Sequence, residues 1–234
     1  MLFSQDVPNG KALIKSALEK GEISENRLAE SVKKILKTKY LLGLQNLKSI
    51  NSENINEDLN NASHAELSEK LYSNAITLLK DEKNLLPLSC SETYYYLPLE
   101  EAPFQTFVEN LNLGTTVKLI SKNEIAQIPE NSTVIVGFHK DNSTAYKPYK
   151  ISQESKDILA ELSKKQNVIL DVFGSPYALK DIDITKISTV LVSYENNDLS
   201  MKASAKALLG KTKIHGKLPV IVNENLKAGS GIEK

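Results

Sequence analysis

The sequence has one cysteine, one arginine, no tryptophan and no excess of either charge. Each scarcity removes a class of function. A lone Cys90 excludes an intramolecular disulfide framework and any cysteine-based metal site, and leaves the redox compartment open. Lys+Arg and Asp+Glu number 29 each, and Arg27 is the only guanidinium, so there is no basic stripe and no nucleic-acid partner is expected. No apolar run approaches the about 18 residues that a spanning helix needs, so no membrane span is expected. Met1 to Asp6 shows neither the basic nor the apolar region of a signal peptide. N-x-S/T matches at Asn61, Asn131 and Asn142 are put down to chance in a chain rich in Asn and Ser.

What is present suits a folded protein. With 234 residues, 41% hydrophobic, the chain holds enough apolar material for one large domain, or for one domain plus an appendage. The first third has helical periodicity. Lys11 to Lys20 places Ile14, Ala17 and Leu18 on one face, and Gly21 supplies a stop. Ser24 is a cap for a second helix, whose Leu28, Val32, Ile35 and Leu36 form one stripe up to Gly43. Two helices with one stripe each do not enclose a core, so they must lie against something else. Lys48 to Asn61 is polar and reads as a linker. A third helix is expected from a Ser63-His64-Ala65-Glu66 capping box, with a stripe of Leu67, Leu71, Ala75 and Leu78 running to Lys80.

After Ser89 the period changes. Thr93 to Leu99, Thr116 to Ile120, Thr133 to Phe138, Asn167 to Phe173 and Thr189 to Tyr194 read as strands. Val134-Ile135-Val136 and Val168-Ile169-Leu170 do not alternate, as expected of strands covered on both faces. Helices are expected at Phe104 to Leu111, Ser152 to Lys165 and Ser200 to Leu209. This alternation predicts an α/β fold, a three-layer α/β/α sandwich on a mostly parallel sheet of about five to six strands.

Several segments then resemble, in order, glycoside hydrolase family 3. Gly21-Glu22-Ile23-Ser24-Glu25-Asn26-Arg27-Leu28, Ser31 to Leu36, Lys39 and Leu42-Gly43-Leu44 look like the helix that ends the family's (β/α) barrel. Ala75 to Lys80 with Asn84-Leu85-Leu86-Pro87-Leu88 resembles the entry to its second, α/β-sandwich domain. Gly210 and Gly216-Lys217-Leu218-Pro219-Val220 resemble that domain's closing segment, and Met1-Leu2-Phe3 looks like the continuation of a barrel strand. Phe173-Gly174-Ser175-Pro176-Tyr177-Ala178-Leu179 is more similar to the bacterial β-N-acetylglucosaminidase-like branch than to the β-glucosidases. Ala228-Gly229-Ser230-Gly231-Ile232 is similar to a junction that precedes a serine-hydrolase domain in some members of that branch.

The resemblance implies residues 1–47 as the last barrel helices, 48–62 as a linker and 63–234 as the sandwich domain. It also implies a barrel partner in the same protein, sugar contact only through that barrel, no cofactor, and a periplasmic or secreted parent. A serine-hydrolase-like domain is a further expected partner. An exposed helical face of this kind also favours a homodimer.

Retaining glycoside hydrolysis needs two carboxyl groups about 5–5.5 Å apart. The family's nucleophilic aspartate and the Asp–His proton donor of the N-acetylglucosaminidase branch have no match here, so no catalytic residue is carried over. Six residues at strand ends are candidates for facing a cleft or an interface: His139, Asp141, Gly174, Ser175, Tyr194 and Glu195. Glu195 follows a strand, where β-glucosidases of the family take an acid/base glutamate from the second domain; the plainer alternative is a solvated loop carboxylate. His139 opens a polar loop with Asp141, Asn142, Lys147 and Tyr149, the plainer alternative being a surface histidine without a role. Ser175 lacks the G-x-S-x-G elbow, and Pro176 suits a first helical turn. Neither phosphate-loop pattern occurs. His64, His139 and His215 share no ligand spacing, so no metal is expected. Tyr94 and Tyr96 share a strand face, and packing explains them better than a sugar platform does. Two further readings stay open: a stand-alone flavodoxin-like or receiver-like binding domain, and an independently active hydrolase. A receiver would need a phosphorylatable Asp at a strand end, whereas Asp171 lies within one.

Overall fold

A computed structural model describes residues 5–49, 51–141, 144 and 146–234. Met1-Leu2-Phe3 and Asn142 lie outside the described residues. The chain divides into two compact units, Met1–Asp58 and Leu59–Lys234.

In the first unit, α1 spans Val7–Glu19 and begins earlier than its apolar stripe suggested. Asp6 caps it, accepting the Asn9 amide at 2.9 Å, and Pro8 presets the first turn. Helix α2, Glu25–Leu41, is capped by Ser24 and followed by Gly43 at φ +72°, as expected. No residue of α1 or α2 is buried. Leu18, Leu28, Val32, Leu36 and Tyr40 line an open apolar groove between the two helices. The stretch read as a linker contains a short helix, α3 (Ile55–Leu59).

In the second unit, α4 spans Ala62–Ala75. Its cap is Asn61 rather than Ser63: Asn61 Oδ1 accepts the His64 amide at 3.1 Å, and the Ser63 hydroxyl donates to the same oxygen. The helix also stops five residues before Lys80. Thr77–Asp81 is instead strand β1, which pairs antiparallel with β6 (Thr189–Val192) in the register Thr77↔Val192 and Asp81↔Thr189. The helical stripe through Leu78 is overridden because Ile76, Thr77 and Leu78 become fully buried on the sheet.

The remaining strands are β2 (Thr93–Leu99), β3 (Thr116–Leu119), β4 (Thr133–His139) and β5 (Asn167–Phe173). The sheet runs β1-β6-β5-β4-β2-β3, parallel except at β1. One face carries Val134, Val136, Phe138, Leu170 and Val172 against α6 (Gln153–Lys165). The other carries Tyr94, Tyr96, Ile135, Ile169 and Phe173 against α5 (Gln105–Leu111) and α7 (Asp198–Leu208). The tyrosine face is therefore core, as packing predicted. The C-terminal segment closes the outer edge of β1, with the Ile232 amide donating to the Leu78 carbonyl at 2.7 Å. Gly216 permits this approach, since a Cβ there would stand 2.4 Å from the Ile76 carbonyl oxygen.

Helices without buried residues open at little cost, whereas Val134, Ile135 and Val136 are wholly inaccessible. Amide exchange in Leu28–Leu36 should therefore be orders of magnitude faster than in Val134–Val136. Equal protection of the two segments would contradict the burial pattern.

Candidate functional site

Parallel strands bring the loops after β2, β4, β5 and β6 to one edge of the sheet, where α/β proteins place their binding residues. Five of the six candidate residues lie on these loops and His139 is the last residue of β4, and the structure sorts them into two groups.

The first group surrounds Lys140. Its ammonium, nearly buried, lies 3.1 Å from Glu100 and 2.8 Å from Glu101. Glu100 has φ +74°, an unusual backbone for a non-glycine residue, and also accepts the Ser152 amide at 3.0 Å and hydroxyl at 2.8 Å at the start of α6. Burial alone would raise the Glu100 carboxyl, but hydrogen bonds from Ser155, Ser152 and Lys140 hold it below its ordinary range. The Asp141 amide donates to Glu101 at 3.2 Å, and the Asp141 carboxylate pairs with Lys147. A Cβ on Gly174 would stand 3.2 Å from the Lys140 Cβ, so glycine lets the β5 loop close over the lysine. Ser175 caps the 3₁₀ turn Pro176–Asp181, accepting the Tyr177 amide at 3.4 Å. Its hydroxyl is an N-cap, and Pro176 opens the turn as expected.

The second group surrounds His139, which is not a surface histidine. It is fully buried, stacked on Phe173 at 4.6 Å between ring centres and flanked by Phe104, Phe107 and Tyr96. The sequence pattern missed this because position 139 continues the face of Ile135 and Gly137 under α5 and α7. Nδ1 lies 2.6 Å from Asn196 Oδ1, and Nε2 meets the Tyr96 hydroxyl. The Asn196 amide nitrogen donates to the Pro103 carbonyl at 2.8 Å, which fixes the side chain's orientation. Oδ1 therefore faces the ring, Nδ1 carries the proton, and Tyr96 donates to Nε2. A Cβ on Gly137 would stand 2.3 Å from the Tyr96 hydroxyl, so this hydrogen bond requires glycine beneath it.

Asp171, in β5, is fully buried on the same face and accepts the hydroxyls of Ser193, at 2.8 Å, and Ser204. On the neighbouring loop, exposed Glu195 accepts the Tyr72 hydroxyl and the Asn197 amide, the latter at 2.9 Å. The hydrogen bond to Glu195, together with burial, raises the Tyr72 hydroxyl. Tyr194, at φ +64°, turns to hydrogen-bond Thr77 on β1 at 2.7 Å.

Glu100, Glu101, Lys140, Tyr72 and Asn196 were not singled out from sequence. Leu99-Glu100-Glu101 directly after a strand was the available signal; the others depend on pairings across about 40 to 125 residues. Glu100 and Glu101 form a carboxylate pair at this edge, and Lys140 joins them. Among the described residues no group of three His, Cys, Asp or Glu is arranged to hold a metal.

Burial raises the Asp171 carboxyl from 3.8 to about 6 and lowers the His139 imidazole from 6.5 to about 4. The stability due to Asp171 is complete below pH 3.8 and lost as pH rises through about 6. That due to His139 is complete above pH 6.5 and lost as pH falls through about 4. The two slopes oppose each other, each on the order of 3 kcal/mol. Between pH 4 and 6.5, urea unfolding should show His139→Gln losing stability as pH rises and Asp171→Asn gaining it, with the unmodified chain flatter than either. Variants that tilt the same way would contradict the assignment.

No family model matches the chain. It is similar to Beta-glucosidase C of Emericella nidulans, with 26% identity over 221 residues, covering 92% of this chain and 34% of that protein. The fold is shared with the beta-glucoside phosphorylase BglX bound to 2FGlc (TM-score 0.67, 22% identity, 89% of this chain and 40% of that one). It is also shared with a glycoside hydrolase family 3 beta-N-acetylglucosaminidase from Paenibacillus sp. str. FPU-7 (TM-score 0.59, 21% identity, 89% and 42%). The chain spans between 22% and 34% of the length of the curated relatives it matches. By sequence and fold together, the chain is related to glycoside hydrolase family 3 proteins and matches about a third of such a protein.

Proposed function

We propose that the chain is the C-terminal α/β module of a retaining glycosidase, which packs on a catalytic (β/α) barrel and borders the sugar cleft without supplying the nucleophile. The observation that carries this reading is the state of the carboxylates at the strand ends. Glu100 and Glu101 are joined by Lys140, Asp141 by Lys147, and Asp171 is buried beneath two serines. A displacement at an anomeric carbon needs one carboxylate open to attack and a second to donate a proton. At this edge Glu101 and Glu195 are the exposed candidates, Glu101 joined to Lys140 and Glu195 to Tyr72 and Asn197. The first unit fits the same reading: the apolar stripe of α2 lies exposed, as a helix that covers a barrel strand would when described by itself. Residues 1–47 are accordingly assigned to the end of the barrel domain, and a following serine-hydrolase-like domain remains part of the proposal.

A second reading follows from the β-glucosidase relatives. In it Glu195 is an acid/base group donated to a glucoside in the barrel, rather than a bystander in an N-acetylglucosaminidase-like protein. Its hydrogen bonds to Tyr72 and Asn197 leave it at the surface, where a second domain could meet it.

The test is turnover of chromogenic β-glucoside and β-N-acetylglucosaminide by the purified chain. No hydrolysis of either is expected. Turnover abolished by Glu195→Gln would overturn the non-catalytic reading in favour of the second.

A further inference from the structure

The two outer strands of the sheet are protected in different ways. The outer edge of β1 is covered by the C-terminal segment, through the Ile232 amide and the Leu78 carbonyl. At the other end, β3 has no strand beyond it. An uncovered edge offers its outward amides and carbonyls to any strand of matching register. The pairing with β2 decides which groups those are. The strands run parallel in the register Tyr94↔Val117 and Tyr96↔Leu119, and the Ile120 amide donates inward to the Tyr96 carbonyl at 3.0 Å. Backbone groups alternate in direction along a strand, so Val117, Leu119 and Ser121 turn theirs away from the sheet.

The first and last of these amides are taken by nearby side chains. Asn112 Oδ1, at the end of α5, accepts the Val117 amide at 2.9 Å. Glu124, in the 3₁₀ turn Lys122–Gln127, accepts the Ser121 amide at 2.8 Å. Leu119 lies between them, 53% exposed, and its amide has no partner among the described residues.

We propose that Asn112 and Glu124 are edge guards, which hold β3 closed against antiparallel pairing with a second copy of this chain about Leu119.

The outward groups of β3 are complementary to themselves. With a two-fold axis through Leu119, each copy's Leu119 amide meets the other's Leu119 carbonyl. The same register sets Val117 of one copy against Ser121 of the other. Ser121 keeps extended backbone, at φ −94° and ψ 166°, so the ladder can run on to it. The flanking amides of that ladder are the ones Asn112 and Glu124 hold. With both guards in place a second copy finds Leu119 alone, too short a ladder to repay the freedom lost on association. Without them the ladder runs from Val117 to Ser121 on both copies and brings the exposed Leu119 side chains together.

Each guard has a local duty as well. Asn112 Nδ2 donates to the Val108 carbonyl at 3.1 Å, and Glu124 accepts the Ser121 hydroxyl at 2.7 Å. Ending a turn accounts for those bonds. It does not require that the two side chains reach outward amides of one strand from opposite ends. Lys118, exposed at mid-strand, brings a like charge of each copy near the axis, and salt screens that repulsion.

The test uses the full chain at high ionic strength, read by sedimentation velocity and amide exchange. In the unmodified chain, the Val117 and Ser121 amides should exchange more slowly than the Leu119 amide, a comparison that needs no variant. Asn112→Ala combined with Glu124→Ala should associate one step further than the unmodified chain at equal concentration. Protection of its Leu119 amide should rise about tenfold or more with concentration, while Val134–Val136 stays protected throughout. Asn112→Asp with Glu124→Gln keeps an acceptor on each amide and should behave like the unmodified chain. Leu119→Pro, added to the guard-free chain, removes the central amide without breaking an inward bond, and should abolish the extra association. Association through any other face is common to all forms and cancels in the comparison. The guards are overturned by a Leu119 amide as protected as its neighbours in the unmodified chain, or by a folded guard-free chain that associates no further. Extra association that survives Leu119→Pro, or that appears equally with Asn112→Asp and Glu124→Gln, overturns them too.

Discussion

Burial of β4 and β5 on both faces is the constraint on which the second unit depends. Val134, Ile135, Val136, Val168, Ile169 and Leu170 are wholly inaccessible, so each strand must be apolar on both sides and have a layer of helices above and below. That requirement fixes the parallel order, because only crossover helices cover both faces of a sheet. It also fixes where polar chemistry collects. The strands leave the sheet together at one edge, and charged side chains gather just past it: Glu100 and Lys140, buried but paired with each other, and the more open Asp141 and Glu195.

The same constraint makes the exceptions informative. Asp171 and His139 sit on a face where an apolar residue would satisfy packing at lower cost. Both are fully hydrogen-bonded, Asp171 to two serines, and His139 to a tyrosine and an asparagine. Glycine at 137 leaves room for the Tyr96–His139 hydrogen bond, so backbone, side chain and hydroxyl at this point depend on one another. A buried network of this kind orients the β6–α7 loop more sharply than apolar contact would, because each hydrogen bond has one acceptable geometry.

Much of the sheet was legible in the sequence. Thr93–Leu99 and Asn167–Phe173 are strands with the bounds their composition indicated, and Ser152 caps α6 as its position suggested. Local pattern failed where tertiary pairing decided the outcome. Thr77–Asp81 carries a helical stripe but is claimed by β6 as an edge strand. The site was less legible for a related reason. Its strand-end loops could be located, but Lys140 meets Glu100 across 40 residues and His139 meets Asn196 across 57, and no local spacing encodes such contacts. His139 therefore looked like a loop residue, although it is the last inward-facing position of its strand.

The central claim is that this edge serves packing and positioning, with the attacking carboxylate elsewhere. Retaining glycosidases form a covalent glycosyl–carboxylate intermediate, which activated fluoro-glycosides trap. Intact-mass measurement of the chain after incubation with such reagents of glucose and N-acetylglucosamine tests the claim most directly. The account predicts an unchanged mass with both. A stoichiometric adduct mapped by peptide sequencing to any Asp or Glu of this chain, Glu100, Glu101 and Glu195 included, would contradict it.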